Sequence, residues 1–261
     1  MTNLHQRFPW IASIICAVLF LALALAGTPL GNQIERSARL PVNSGILIQQ
    51  LLLALFSALA VTLFGGWRAA GFAKWFDWRA LLLYLPPLVG PVIILLFTGI
   101  AATDVTQLVM LVVFTAMIGF AEEALCRGVM VNAFLPRGML KAALYSSLIF
   151  GSMHLVNLFY GMNPGMALLY VVYAALIGFG FAAPYLRSGG AIWPAIGAHA
   201  LYDFIGKVGH GWGAQAQPTS STEAVIRLVV AILVGLYGIW LLRTARAGSQ
   251  TSRPLVGEAA R

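Results

Sequence analysis

Apolar runs of membrane-spanning length recur along the chain, near 9–27, 45–64, 80–101, 105–133, 140–158, 165–187, 190–206 and 224–242, with short polar or Gly/Pro-rich turns between them. About 20 helical residues at 1.5 Å each cross the ~30 Å hydrocarbon layer of a bilayer. Helices are expected in every run, because an open strand edge has no hydrogen-bond partners in lipid. The pattern therefore predicts an all-α fold, a polytopic transmembrane helical bundle of about eight spans. The third run carries Pro86, Pro87 and Pro91 and is expected to be kinked or broken; the seventh is short and carries Pro194.

Charge placement orients these spans. With both termini on the cytoplasmic side, the inner segments hold eleven cations: Arg7, Arg68, Lys74, Arg79, Arg137, Lys141, Arg187, Arg243, Arg246, Arg253 and Arg261. The outer loops hold three, Arg36, Arg39 and Lys207, while Arg127 and Arg227 fall within spans. That asymmetry is the one the positive-inside rule requires. Trp67, Trp75 and Trp78, beside Lys74 and Arg79, read as an inner loop lying at the membrane interface. Ala24-Leu25-Ala26 resembles a signal-peptidase site, but the first apolar run is long for a signal peptide and is read as a retained helix. The tail beyond Arg243 is polar and is expected to be disordered.

Composition agrees with this reading and narrows the function. Residues are 60% hydrophobic and 9% charged, which leaves no room for a sizeable water-soluble domain. The net charge of +8 reports topology and attraction to anionic lipid; no basic cluster interleaves with aromatics, so no nucleic-acid partner is expected. Cys16 and Cys126 both lie in apolar runs and suggest no disulfide.

The chemistry lies in the ionisable residues left inside spans. A charge at bilayer depth costs ~2.5–3.5 kcal/mol on insertion scales, so such residues are functional candidates by default. The chain has eight acidic residues and places Glu122 and Glu123 side by side in the fourth run. His154 follows in the fifth run, and His199 with Asp203 in the seventh. Glu123 and Arg127 are four apart with the acid first, the favourable order for an intrahelical ion pair. Glu122 points about 100° away and is free to face His154. His199 and Asp203 have the same spacing, so Asp203 is expected to orient the imidazole. Glu122, His154 and His199 also have the residue types of a catalytic zinc site with one open position, making zinc a candidate cofactor. The compact His-Glu-x-x-His signature is absent.

Taken together, Glu122-Glu123-x-x-x-Arg127, Phe150-x-x-x-His154 and His199-x-x-x-Asp203 resemble the CAAX-protease and bacteriocin-processing (CPBP, or Abi) family of intramembrane endopeptidases. The resemblance covers about Val105 to Gly206. It implies a protease in which Glu122 activates water, His154 assists, and His199 with Asp203 stabilises the tetrahedral oxyanion. Glu123 and Arg127 would complete the catalytic set. The family is often called a metalloprotease, although a metal-free glutamate mechanism fits the same residues. The implied partner is a membrane-associated peptide or protein, prenylated or not, at a multi-pass protein of the bacterial plasma membrane.

This organisation reads as an N-terminal three-span region at 1–104, a four-span catalytic core at 105–206, and a last span with a polar tail at 207–261. Two other functions compete. One is a non-proteolytic interaction protein, such as a bacteriocin self-immunity factor, which has no need to keep all six residues. The other is a proton-coupled transporter, which would be expected to show internal symmetry that the two halves lack.

Overall fold

The computed structural model describes residues 4–74, 78–101, 104–210 and 220–251. Helices dominate throughout, and the described residues contain no strand. The principal helices are α1 (Pro9–Ser37), α2 (Ser44–Leu63), α3 (Leu85–Thr98), α4 (Val105–Glu123), α5 (Met139–Met153), α6 (Pro164–Arg187), α7 (Ile192–His210) and α8 (Ser221–Thr251). The architecture is the polytopic all-α bundle that the apolar runs predict.

Six helical segments among the described residues are long and apolar enough to cross a membrane: Pro9–Ser37, Ser44–Leu63, Val105–Arg137, Met139–Leu158, Pro164–Arg187 and Ser221–Thr244. The other two expected spans take a different form. The third is broken, into a short helix at Trp78–Leu82 and then the 14-residue α3. Its break falls just before the prolines: Pro86 and Pro87 start α3, where a missing N–H costs nothing. The seventh becomes α7, whose apolar character is interrupted by His199, Asp203 and Lys207. Pro194 sits harmlessly in its first turn.

Each long helix has two faces. On α2, Gln50, Leu53, Ala54, Ser57, Ala60 and Val61 are buried, whereas Leu51, Leu55, Leu59 and Leu63 are exposed. Exposed leucines at a four-residue spacing are the surface expected of a helix facing lipid. On α1, Cys16, Ala17, Phe20 and Ala24 enter the main core. The turn between α4 and α5 falls where expected, at a 3-10 turn Leu135–Arg137 closed by Gly138 at φ 98°. Helix α8 runs on to Thr251, so residues 244–251 do not form the disordered tail that their polarity suggested; the remainder of that tail, and Trp75 of the interfacial loop, lie outside the described residues.

Small residues set the helix spacing around the site. A Cβ on Gly119 of α4 would come within 2.6 Å of the Ile196 carbonyl oxygen of α7, and one on Gly151 of α5 within 2.6 Å of the Val171 carbonyl oxygen of α6. Without glycine these helices could not approach so closely, and in lipid close backbone approach is a main source of helix association.

Candidate active site

Helix α4 begins at Asp104, whose carboxylate accepts a hydrogen bond from the Gln107 N–H at 2.8 Å. It ends on the two glutamates, and the chain then widens into a π-helix over Ala124–Val131, with all eight residues buried. Turns of this kind are rare and recur at functional sites. The expected uniform helix over 105–133 is thus an α-helix, a π segment and a last short turn at Asn132–Phe134. Asn132 supports the far end of the π segment: its side-chain amide reaches the carbonyls of Gly128 at 2.9 Å and Arg127 at 3.2 Å.

The Glu123–Arg127 ion pair forms as its spacing predicts, with Arg127 Nε 3.0 Å from Glu123 Oε2. Both side chains are almost fully buried, at 0% and 3% exposure. Arg127 also donates from Nη2 to the Gly178 carbonyl of α6 at 3.0 Å, and its guanidinium lies 5.5 Å from the centre of the Phe150 ring. A Cβ on Gly178 would meet that same ring at 2.8 Å, so glycine here admits both the phenylalanine and the arginine.

The other carboxylate oxygen of Glu123 leaves the helix. Glu123 Oε1 accepts from His199 Nδ1 at 2.7 Å, while His199 Nε2 lies 3.5 Å from Glu122 Oε2. His199 therefore sits between the two glutamates. This corrects the expectation for Asp203: the imidazole is oriented by Glu123 of α4, not by the acid four residues along its own helix. A partner on a facing helix can approach a ring nitrogen along its N–H axis, and Gly119 brings α4 and α7 close enough for that. Asp203 lines the cavity without a hydrogen bond or ion pair to the described residues.

His154 stands where α5 tightens into a 3-10 helix, His154–Leu158. Its own backbone N–H turns to Gly151 and Ser152, and its ring Nδ1 lies 3.0 Å from the Phe150 carbonyl. Donating Nδ1–H to that carbonyl leaves Nε2 as the acceptor nitrogen. The Phe150 ring packs edge-on against His154 at 4.8 Å and against His199 at 6.3 Å.

Glu122, Arg127, His154, His199 and Asp203 line one cavity of about 240 Å³, with Glu123 directly behind its wall. At ~30 Å³ per water molecule the space holds several waters, or a length of peptide and one water. Tyr170, Tyr173, Phe181 and Tyr202 form an aromatic side, on which the Tyr173 and Tyr202 hydroxyls hydrogen-bond to each other. Residues not singled out from the sequence also reach the cavity, notably Gln50 of α2, Lys207 of α7 and Arg227 of α8. Arg227 is held by Glu223 at 2.6 Å, a second buried i,i+4 pair. For Gln50 and Arg227 the available signal was a polar residue in an apolar run; Lys207 lies just past the end of one.

Glu122, His154 and His199, the candidate zinc ligands, line the one cavity. Among the described residues no three His, Cys, Asp or Glu side chains are arranged to hold a metal ion. Both nitrogens of His199 face carboxylates, and one nitrogen of His154 faces a carbonyl. The arrangement is that of a hydrogen-bonded acid–base cluster.

No curated protein matches the chain. Residues 104–205, the segment from the cap of α4 to the motif on α7, match the family model of the Rce1-like type II CAAX prenyl endopeptidases, the family that the three motifs resemble.

Proposed function

We propose that this protein is an intramembrane endopeptidase that hydrolyses a peptide bond with a water activated by Glu122, close to the C-terminus of a membrane-attached substrate. The observation that carries the reading is the Glu122–His199–Glu123–Arg127 chain at the wall of a cavity inside the helical bundle. The family match of the same segment supports a membrane protease in general.

In this mechanism Glu122 accepts a proton from the water as its oxygen attacks the scissile carbonyl. His154, with Nδ1–H committed to Phe150, accepts the second water hydrogen at Nε2 and fixes the direction of attack. The carbonyl electrons pass to oxygen, and His199 stabilises that oxyanion through Nε2–H while Glu123 holds Nδ1–H. One well-oriented donor of this kind contributes about 2.7–4 kcal/mol. The C–N bond then breaks, and Glu122 returns its proton to the departing amine. Arg127 fixes Glu123, and so acts on His199 through it. We assign Asp203, which lines the same cavity while Glu123 holds His199, to accept a backbone N–H of the substrate. No step requires a metal.

The test is product analysis by mass spectrometry. Purified protein in lipid is given matched C-terminal peptides with and without a prenylated cysteine. A single new C-terminus at the prenylated cysteine is expected. Cleavage of neither peptide, with the protein folded, would remove the CAAX-type assignment.

A further inference from the structure

Gln50 lies on α2, outside the segment 104–205 that matches the endopeptidase family, yet it lines the same cavity as Glu122 and His199. Its side chain is an anomaly in energetic terms. Gln50 is 6% exposed, and its Nε2 is buried with no hydrogen-bond partner among the described residues. An unsatisfied buried amide costs about 1–3 kcal/mol, and replacing it with an apolar group of the same shape is nearly neutral or stabilising. On stability grounds alone, methionine or leucine would serve this position better.

The packing fixes its height relative to the catalytic glutamate. Ile46 and Leu47 of α2 pack against Leu111, Phe114 and Ile118 of α4, while Val61 lies beside Gly128 further along. The two helices therefore run parallel, with Gln50 at about the level of residue 117. Five residues separate that level from Glu122, or roughly 8 Å along the helix axis. In an extended peptide at ~3.3 Å per residue this is two or three residues from the scissile bond.

We infer that Gln50 is a substrate-positioning residue whose carboxamide hydrogen-bonds a backbone amide of the bound peptide two or three residues from the cleaved bond. A primary carboxamide offers one N–H side and one C=O side, and its last torsion is broad and roughly two-fold, so it can meet either half of a peptide group. This contact is indifferent to the substrate's side chains and sets the register of the chain against Glu122. The inference rests on the endopeptidase reading.

The test is a cycle between Gln50→Met and single amide-to-ester replacements along the prenylated peptide substrate, each of which removes one backbone N–H and weakens one carbonyl. With wild-type protein, an ester two or three residues from the scissile bond should raise KM about 2- to 13-fold, the range expected for one net hydrogen bond. Gln50→Met should raise KM for the all-amide peptide by a similar factor, with kcat changed less than twofold. It should then be insensitive to that ester. Its melting temperature should equal or exceed that of the wild type, whereas a purely structural glutamine would lower it. An equal ester penalty in both proteins at every position, or a destabilised variant, would overturn the inference. Cleavage by wild type that is lost in Glu122→Gln shows independently that the endopeptidase reading holds, so the two failures are distinguishable.

Discussion

Replacing Glu123 with glutamine is expected to destabilise the protein severely, even though the side chain keeps its shape. Glu123 is fully buried and spends both oxygens: Oε2 faces Arg127 at 3.0 Å and Oε1 accepts from His199 at 2.7 Å. Neutralising it leaves the Arg127 guanidinium, at 3% exposure, without its carboxylate. Removing one partner of a buried pair costs about 3–5 kcal/mol, because the remaining charge is stranded. At about 2–4 °C per kcal/mol for a chain of this size, the melting temperature should fall on the order of 10 °C. Arg127→Met alone should cost a similar amount. The double variant Glu123→Gln/Arg127→Met should be less destabilised than the sum of the two by at least about 2 kcal/mol, since it leaves no orphan charge. Melting curves of the four proteins in one detergent, followed by tryptophan fluorescence, give the cycle. Additive losses, or a Glu123→Gln variant as stable as wild type, would refute the ion-pair reasoning.

Three further outcomes follow from the same geometry. Gly119→Ala puts a Cβ 2.6 Å from the Ile196 carbonyl and should push α4 from α7, costing about 1–3 kcal/mol by overpacking and more than tenfold in turnover as His199 leaves Glu123; unchanged kinetics would argue against close helix approach as the support of the site. His154→Ala removes a local bond to the Phe150 carbonyl and ring contacts to Phe150 and Tyr170, so melting should shift by a few degrees while kcat falls by about 10²–10⁴; retained activity would remove His154 from the water site. Extended dialysis against a chelator should leave kcat/KM within twofold, because both His199 nitrogens are committed to carboxylates; loss restored by added zinc would contradict the metal-free scheme.

Helical content and much of the span placement were legible because bilayer thickness fixes the length of an apolar run. Breaks were harder. The prolines of the third run marked a discontinuity, but proline is welcome in a first helical turn, so α3 starts at them instead of breaking there. Within the site, the Glu123–Arg127 contact was readable because both residues share one helix. The Asp203 assignment failed for the same reason applied once too often: spacing reports neighbours along a helix and is silent on a facing helix, where Glu123 reaches His199 first. The π segment after Glu123 had no sequence signal, since Ala124–Val131 has the composition of an ordinary apolar helix. Gln49 and Gln50 stand side by side in a largely apolar run, and only helix packing shows that Gln50 belongs to the cavity.

The central claim is that Glu122, not its buried neighbour, carries the proton during peptide hydrolysis. Glu122 lines the cavity and, among the described residues, its ion-pair contact is the long one to His199 at 3.5 Å, so Glu122→Gln should fold as wild type does. The decisive measurement is single-turnover cleavage of a prenylated C-terminal peptide by wild type and Glu122→Gln at matched melting temperature. The account predicts a loss of at least about 10²-fold in the cleavage rate with substrate binding retained. Cleavage by Glu122→Gln at the wild-type rate would contradict it.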